Sequence, residues 1–113
     1  MKTRLVWPLA LAVLLAGCGV DVVVESNTSW MGDICDAPSC ASAFTNHELR
    51  GSGNKSFPQA TQSGDQICYW FANATDSGYV RVYIKDNTPL GSDRNAEHKN
   101  TAPHGSVAAC WTQ

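Results

Sequence analysis

The chain has 113 residues, with 8 Lys and Arg against 10 Asp and Glu, a formal net charge of −2 and 43% hydrophobic residues. That length holds one domain; the apolar and aromatic content excludes a disordered chain, and the lack of a basic excess excludes a nucleic-acid binder. Five cysteines in so short a chain point to an oxidising compartment.

In chain order, the first predicted element is a targeting segment. Lys2 and Arg4 precede a continuous apolar run from Leu5 to Ala16, closed by the small pair Ala16-Gly17. A run of this length suits a secretory leader over residues 1–17, whereas a spanning helix needs about 20 apolar residues. Pro8 near its start weakens the helical reading further. The leader ends in Leu15-Ala16-Gly17-Cys18, which resembles the lipobox of bacterial lipoproteins. The resemblance implies cleavage before Cys18, a diacylglycerol on its thiol and an acylated new amino terminus. Two or three acyl chains anchor stably, where one alone, at about 0.8 kcal/mol per buried CH₂, is marginal. Gly19 follows, where lipoproteins kept in a Gram-negative inner membrane commonly carry Asp, so the resemblance favours the outer membrane or the cell surface. Residues 18–113 are then a single extracytoplasmic domain tethered through Cys18. Without Lys2 and Arg4 its balance is 6 basic and 10 acidic residues, a net −4, which disfavours anionic head groups as well as nucleic acid.

Beyond the tether no segment has helical periodicity, and strand patterns dominate. Val20–Glu25 is β-branched, and Trp30–Cys35 is predicted to return antiparallel to it after Ser26-Asn27-Thr28-Ser29. Ser42–Leu49 reads as a weak strand or a single helical turn, Gly51-Ser52-Gly53-Asn54 as a turn, and Lys55-Ser56-Phe57 as a strand ending against Pro58. Gln66–Ala72 and Tyr79–Lys85, separated by the turn formers of residues 73–78, are expected to form an antiparallel hairpin. In the second of these, Val80, Val82 and Ile84 face the core, while Tyr79, Arg81, Tyr83 and Lys85 face solvent. The first is apolar on both faces, which suits a central position. Residues 86–105 are expected as a long loop with at most one short strand near Leu90, and Ser106–Trp111 as the closing strand. Six or seven short strands predict an all-β fold, a small antiparallel sandwich or flattened barrel.

Setting aside Cys18 leaves Cys35, Cys40, Cys68 and Cys110, an even number that implies two disulfides with three possible connectivities. The pairing Cys35–Cys40 with Cys68–Cys110 is favoured, because Asp36-Ala37-Pro38-Ser39 can turn the chain and residues 68 and 110 lie on strand-like segments. Only one close cysteine pair exists, so a tetrahedral zinc site is not expected.

Signatures of catalysis are few. There is no G-x-S-x-G, no C-x-x-C and no phosphate loop, and His47-Glu48 lacks a second His where Gly51 stands. The carboxylates Asp65, Asp76, Asp86 and Asp93 fall in turns, where Asp bonds the backbone. No enzyme, cofactor or metal is expected. His47, His98 and His104 are an alternative, as imidazoles that could ligate a transition metal. The row Tyr79, Arg81, Tyr83 and Lys85 is the candidate ligand surface, since rings and cationic donors suit protein or glycan contacts. Its plainer reading is cross-strand pairing on a solvated face. Trp30, Trp70 and Trp111 are expected in the core or against disulfides. Small periplasmic lysozyme-inhibitor lipoproteins are similar in size, lipobox, β architecture and a disulfide to a near-C-terminal cysteine. Ser52-Gly53-Asn54-Lys55-Ser56-Phe57 resembles their S-G-x-x-Y loop, with one extra residue and Phe in place of Tyr. The expectation is a monomeric, membrane-anchored, non-enzymatic binding module that meets an envelope protein or glycan.

Overall fold

The computed structural model describes residues 19–37, 48–59 and 64–112. Among these there is no helix. Eight strands are present: β1 (Val20–Ser26), β2 (Ser29–Ala37), β3 (Leu49–Ser52), β4 (Lys55–Gln59), β5 (Gln66–Asn73), β6 (Val80–Asp86), β7 (Asn95–Asn100) and β8 (Ser106–Thr112). They form two four-stranded antiparallel sheets, β4-β1-β6-β7 and β3-β2-β5-β8. The two sheets stay open and no barrel closes, so of the two architectures expected the sandwich is the one formed.

Alternation builds the core. Val20, Val22 and Val24 of β1 and Val80, Val82 and Ile84 of β6 turn inward from one sheet. Trp30, Ile67, Tyr69, Phe71 and Val107 meet them from the other. Each such side chain taken fully from water stabilises the fold by about 1.5–3 kcal/mol. Trp30 contacts Phe71 and Phe57 edge-on, and Phe57 stacks on Phe71. The ring of Phe71 fits because Gly32 faces it: a Cβ at Gly32 would lie 2.2 Å from Phe71 Cδ1.

Pairing between neighbours in sequence is where the expectations change. β1 and β2 are not partners: β1 bonds β4 and β6, while β2 bonds β3 and β5. The Ser26 hydroxyl donates to Tyr79 O at 2.7 Å, and Gly78 fits against Asn27 and Thr28. These contacts turn the short link out of one sheet and into the other. β5 and β6 likewise lie in opposite sheets and form no hairpin. Here the buried Asn73 organises the turn, donating Nδ2 to Ser77 O at 2.8 Å and accepting from Thr75 N at 2.8 Å. Both links join strands whose apolar faces need a facing layer, and crossing to the other sheet buries both faces.

Two further stretches differ from the expectation. Residues 86–105 contain β7 at Asn95–Asn100, and Leu90 is fully exposed in the loop before it. Gly51 and Ser52 belong to β3, and β4 runs through Pro58, which an edge strand tolerates. Of the segment 42–49 only Glu48 and Leu49 are described, and Leu49 opens β3. The leader and Cys18 lie outside the described residues.

One disulfide, Cys68–Cys110, is present among the described residues where two were expected. Cys35 is not a free thiol, but Cys40, expected as its partner, lies outside the described residues. Register explains why Cys68 bridges to β8 and not to β2, although Cys35 and Cys110 both sit directly opposite it. The Asn73 N to Gly105 O bond fixes 73/105 as a hydrogen-bonded pair, and the Ala74 N to Ser29 O bond fixes 74/29 in the same way. Counting along the ladders, Cys68/Cys35 is a hydrogen-bonded pair and Cys68/Cys110 a non-hydrogen-bonded one. Only the latter brings side chains close enough for a direct bridge, and the Cα atoms stand 4.0 Å apart.

Candidate functional site

The outward face of sheet β4-β1-β6-β7 gathers the predicted row and adds to it. Register places Glu25 opposite Arg81, Val23 opposite Tyr83 and Asp21 opposite Lys85, while Arg81 faces Lys99 on its other side. Arg81 Nη1 lies 3.3 Å from Glu25 Oε1, and its Nε is 4.0 Å from Glu97 Oε2. Arg94 reaches the same two carboxylates, 3.8 Å from Glu25 and in close contact with Glu97. Its guanidinium also sits 4.3 Å above the Tyr83 ring. The Tyr83 hydroxyl donates to Glu25 Oε2 at 3.4 Å, and Lys99 Nζ covers the Tyr79 ring at 4.8 Å.

The result is a lattice in which two arginines alternate with two glutamates around one tyrosine ring. Burial first, and then the neighbouring Glu25, push the Tyr83 hydroxyl above the ordinary phenol value. The hydrogen bond that Arg94 donates to Glu97 raises its guanidinium above the ordinary value. Sequence reading found Tyr79, Arg81, Tyr83 and Lys85 but not Glu25, Arg94, Glu97 or Lys99. Glu25 required the β1–β6 pairing, and the other three required β7. Of the predicted four, Lys85 projects into solvent, while Tyr79, Arg81 and Tyr83 already have intramolecular partners.

The lattice stands on the core. The buried Tyr69 crosses between the sheets, and its hydroxyl donates to Ala96 O, with Val82 O at 3.2 Å. Burial, and secondarily Glu97, raise its pKa. Ala96 has φ 51°, and the β6–β7 register slips between Val82 and Ile84. This is a bulge, which re-aims the strand so that Glu97 and Lys99 lie beside Arg81 and Tyr79.

The two described histidines, His98 and His104, sit on different elements. His98 lies exposed on β7, and His104 sits in the β7–β8 turn with Nε2 2.7 Å from Asp76 Oδ1. His47 lies outside the described residues, among which no group of three or more metal-ligating side chains occurs. Trp30 is in the core, and Trp111 borders it. Trp70 is half-buried on the outward face of the other sheet, in register with Asp33 and Ala108. The segment Ser52–Phe57 carries the chain from β3 across to β4 in the facing sheet, and Trp30 Nε1 pins the link by donating to Gly53 O at 2.9 Å. Its Phe57 ring stacks into the core against Phe71, with Lys55 Nζ 5.6 Å from its centroid.

No protein-family description, curated protein or solved structure matches this chain.

Proposed function

We propose that the chain is a lipid-anchored, extracytoplasmic, non-enzymatic binding module, tethered at Cys18 to an outer membrane or cell surface. In this reading the Glu25–Arg81–Tyr83–Arg94–Glu97 face meets an envelope protein or glycan. The observation that carries it is the way the lattice is pre-set. Its charges and ring are mutually held, so a partner meets a surface whose side chains need little further ordering. Support for the tether comes from where the fold begins. β1 starts at Val20, and Gly19 O already accepts from Asn87 N at 3.1 Å, so little free chain separates Cys18 from the sheet. The disulfide Cys68–Cys110 supports an oxidising location.

Two measurements test the reading. Mass spectrometry of the native product should find Cys18 as an acylated amino terminus, and an intact unacylated N-terminal extension would overturn the tether. For the face, crosslinking in the native envelope should capture a partner, and replacing Arg81 and Tyr83 together by Ala should abolish capture while leaving the circular dichroism spectrum unchanged. Capture undiminished by the double replacement would remove the face from the reading.

A further inference from the structure

Three of the four sheet edges carry features that discourage a further strand. β3 is four residues long and bears Arg50; β4 bears Lys55 and Pro58; β7 bears Glu97, His98 and Lys99 and is bulged at Ala96. β8 has none of these. Ser106-Val107-Ala108-Ala109-Cys110-Trp111-Thr112 contains no charge, no Pro and no Gly, and Ala108, Cys110 and Thr112 are exposed.

The same ladder that explains the disulfide shows where the backbone of β8 points. Val107, Ala109 and Trp111 bond to β5, so Ser106, Ala108, Cys110 and Thr112 turn their N–H and C=O groups to the edge away from β5, beside which β7 of the facing sheet packs. Asn100 Nδ2 donates to Ser106 O at 3.0 Å, which confirms that direction and caps that one carbonyl. The outward groups of Ala108, Cys110 and Thr112 have no partner among the described residues.

We propose that β8 is a self-association edge. Two copies pair antiparallel through β8 about a two-fold axis at Ala109, joining two four-stranded sheets into one continuous sheet. The register is self-complementary: Ala108 meets Cys110 of the second copy with outward backbone groups that match, and Ser106 meets Thr112 at the ends, where the Ser106 carbonyl is already held by Asn100. Small side chains meet at the axis, Ala109 against Ala109, so the strands can close to ladder distance. Charge selects this edge over the others. Self-pairing at β3 or β4 would bring Arg50 or Lys55 near its own copy, whereas β8 brings no charge to its copy. An isologous contact of this kind closes as a dimer and does not propagate. This departs from the monomer expected from the sequence, and it is independent of the lattice on the opposite sheet.

The test is sedimentation equilibrium of the full chain in density-matched detergent. The parent should be a dimer. Ala108→Pro removes an outward N–H that the β5–β8 ladder does not use, and Ala108→Lys puts like charges across the axis. Each should raise the dimer dissociation constant at least about tenfold, a loss of about 1.4 kcal/mol. Thermal melts check folding, and the Lys variant serves if the Pro variant unfolds. A photo-crosslinking residue at Thr112 should give an adduct of twice the monomer mass, and one at Asp76 should give none. A parent that stays monomeric at 100 μM (roughly the concentration where a 10 μM dimer would dominate), or a dimer insensitive to Ala108→Lys, overturns the proposal. So does a Thr112 adduct only with a chain of another mass, which would assign the edge to a foreign strand.

Discussion

Removing a single oxygen atom, Tyr69→Phe, tests whether the core sets the geometry of the surface lattice. The Tyr69 hydroxyl is fully buried and donates to the Ala96 carbonyl at the bulge. The net worth of such a bond is about 0.5–1.5 kcal/mol, and leaving a buried acceptor unpaired costs about 1–3 kcal/mol. Ala96 is only partly buried, so water can reach some of what is lost, and the expected destabilisation is about 1–2 kcal/mol. In a domain of this size each kcal/mol moves Tm by about 4–8 °C, so thermal and urea unfolding should resolve the loss. Tyr83→Phe is the matched control. Its hydroxyl is only part-buried, at the edge of the lattice and 3.4 Å from Glu25, and its loss should cost less than about 0.5 kcal/mol. Equal effects from the two replacements, or a Tyr69→Phe loss under about 0.5 kcal/mol, would refute the reasoning that the inter-sheet bond holds the bulge.

Replacing Cys68 and Cys110 together by Ala opens a bridge between residues 42 apart and should cost about 4 kcal/mol by the chain-entropy relation, read from urea midpoints; a loss under about 1 kcal/mol would show that the ladder alone supplies the constraint. Gly32→Ala sets a Cβ 2.3 Å from Trp70 O, which is backbone and cannot swing away, so a loss of at least about 1–3 kcal/mol is expected, and a neutral result would contradict the close approach. Asp36→Asn should change the pH dependence of stability. Burial and then Asp65 raise the Asp36 carboxyl above its ordinary 3.8, so its stabilising contribution is fully present below that value and fades as pH rises through the raised one. The Asn variant should therefore melt slightly higher than the parent at neutral pH and the same at pH near 3 (about one unit below the ordinary Asp value), and an equal gain at both would rule out ionisation as the cause.

What was legible in the sequence was whatever depends on alternation within one strand. Val80, Val82 and Ile84 against Arg81, Tyr83 and Lys85 divide correctly between core and surface, and the doubly apolar Gln66–Ala72 does lie centrally, between β2 and β8. Partner choice was not legible. A short polar link reads the same whether the next strand returns beside the first or crosses to the facing sheet. The difference lies in tertiary contacts such as Ser26 to Tyr79 O and Asn73 to Ser77 O. β7 escaped for another reason. Asn-Ala-Glu-His-Lys-Asn has no apolar period, and it is a strand because β6 offers a ladder and Tyr69 holds its bulge. Part of the charged face was invisible for the same reason, since Glu97 and Lys99 stand on that strand.

The two proposals constrain one another. A two-fold axis at Ala109 that makes β8 antiparallel to its copy runs perpendicular to the sheet, so it keeps the same face uppermost in both copies and reverses the direction of every strand. The two Val20 ends, on the sheets that face the joined one, then point in opposite directions. If Cys18 is the anchor proposed above, so little chain separates it from Val20 that both anchors of the proposed dimer enter one bilayer only with the strands running along it. In that attitude one face of the sandwich is turned to the membrane and the other away, identically in both copies. The outward face of sheet β3-β2-β5-β8 carries Met31, Trp70, Ala72 and Ala108 with the charged residues Arg50 and Asp33, whereas the opposite face carries the larger Arg and Glu lattice. Turning the less charged face to the bilayer leaves both lattices pointing outward side by side. A partner with two matching sites would then bind with an avidity that a lone module lacks.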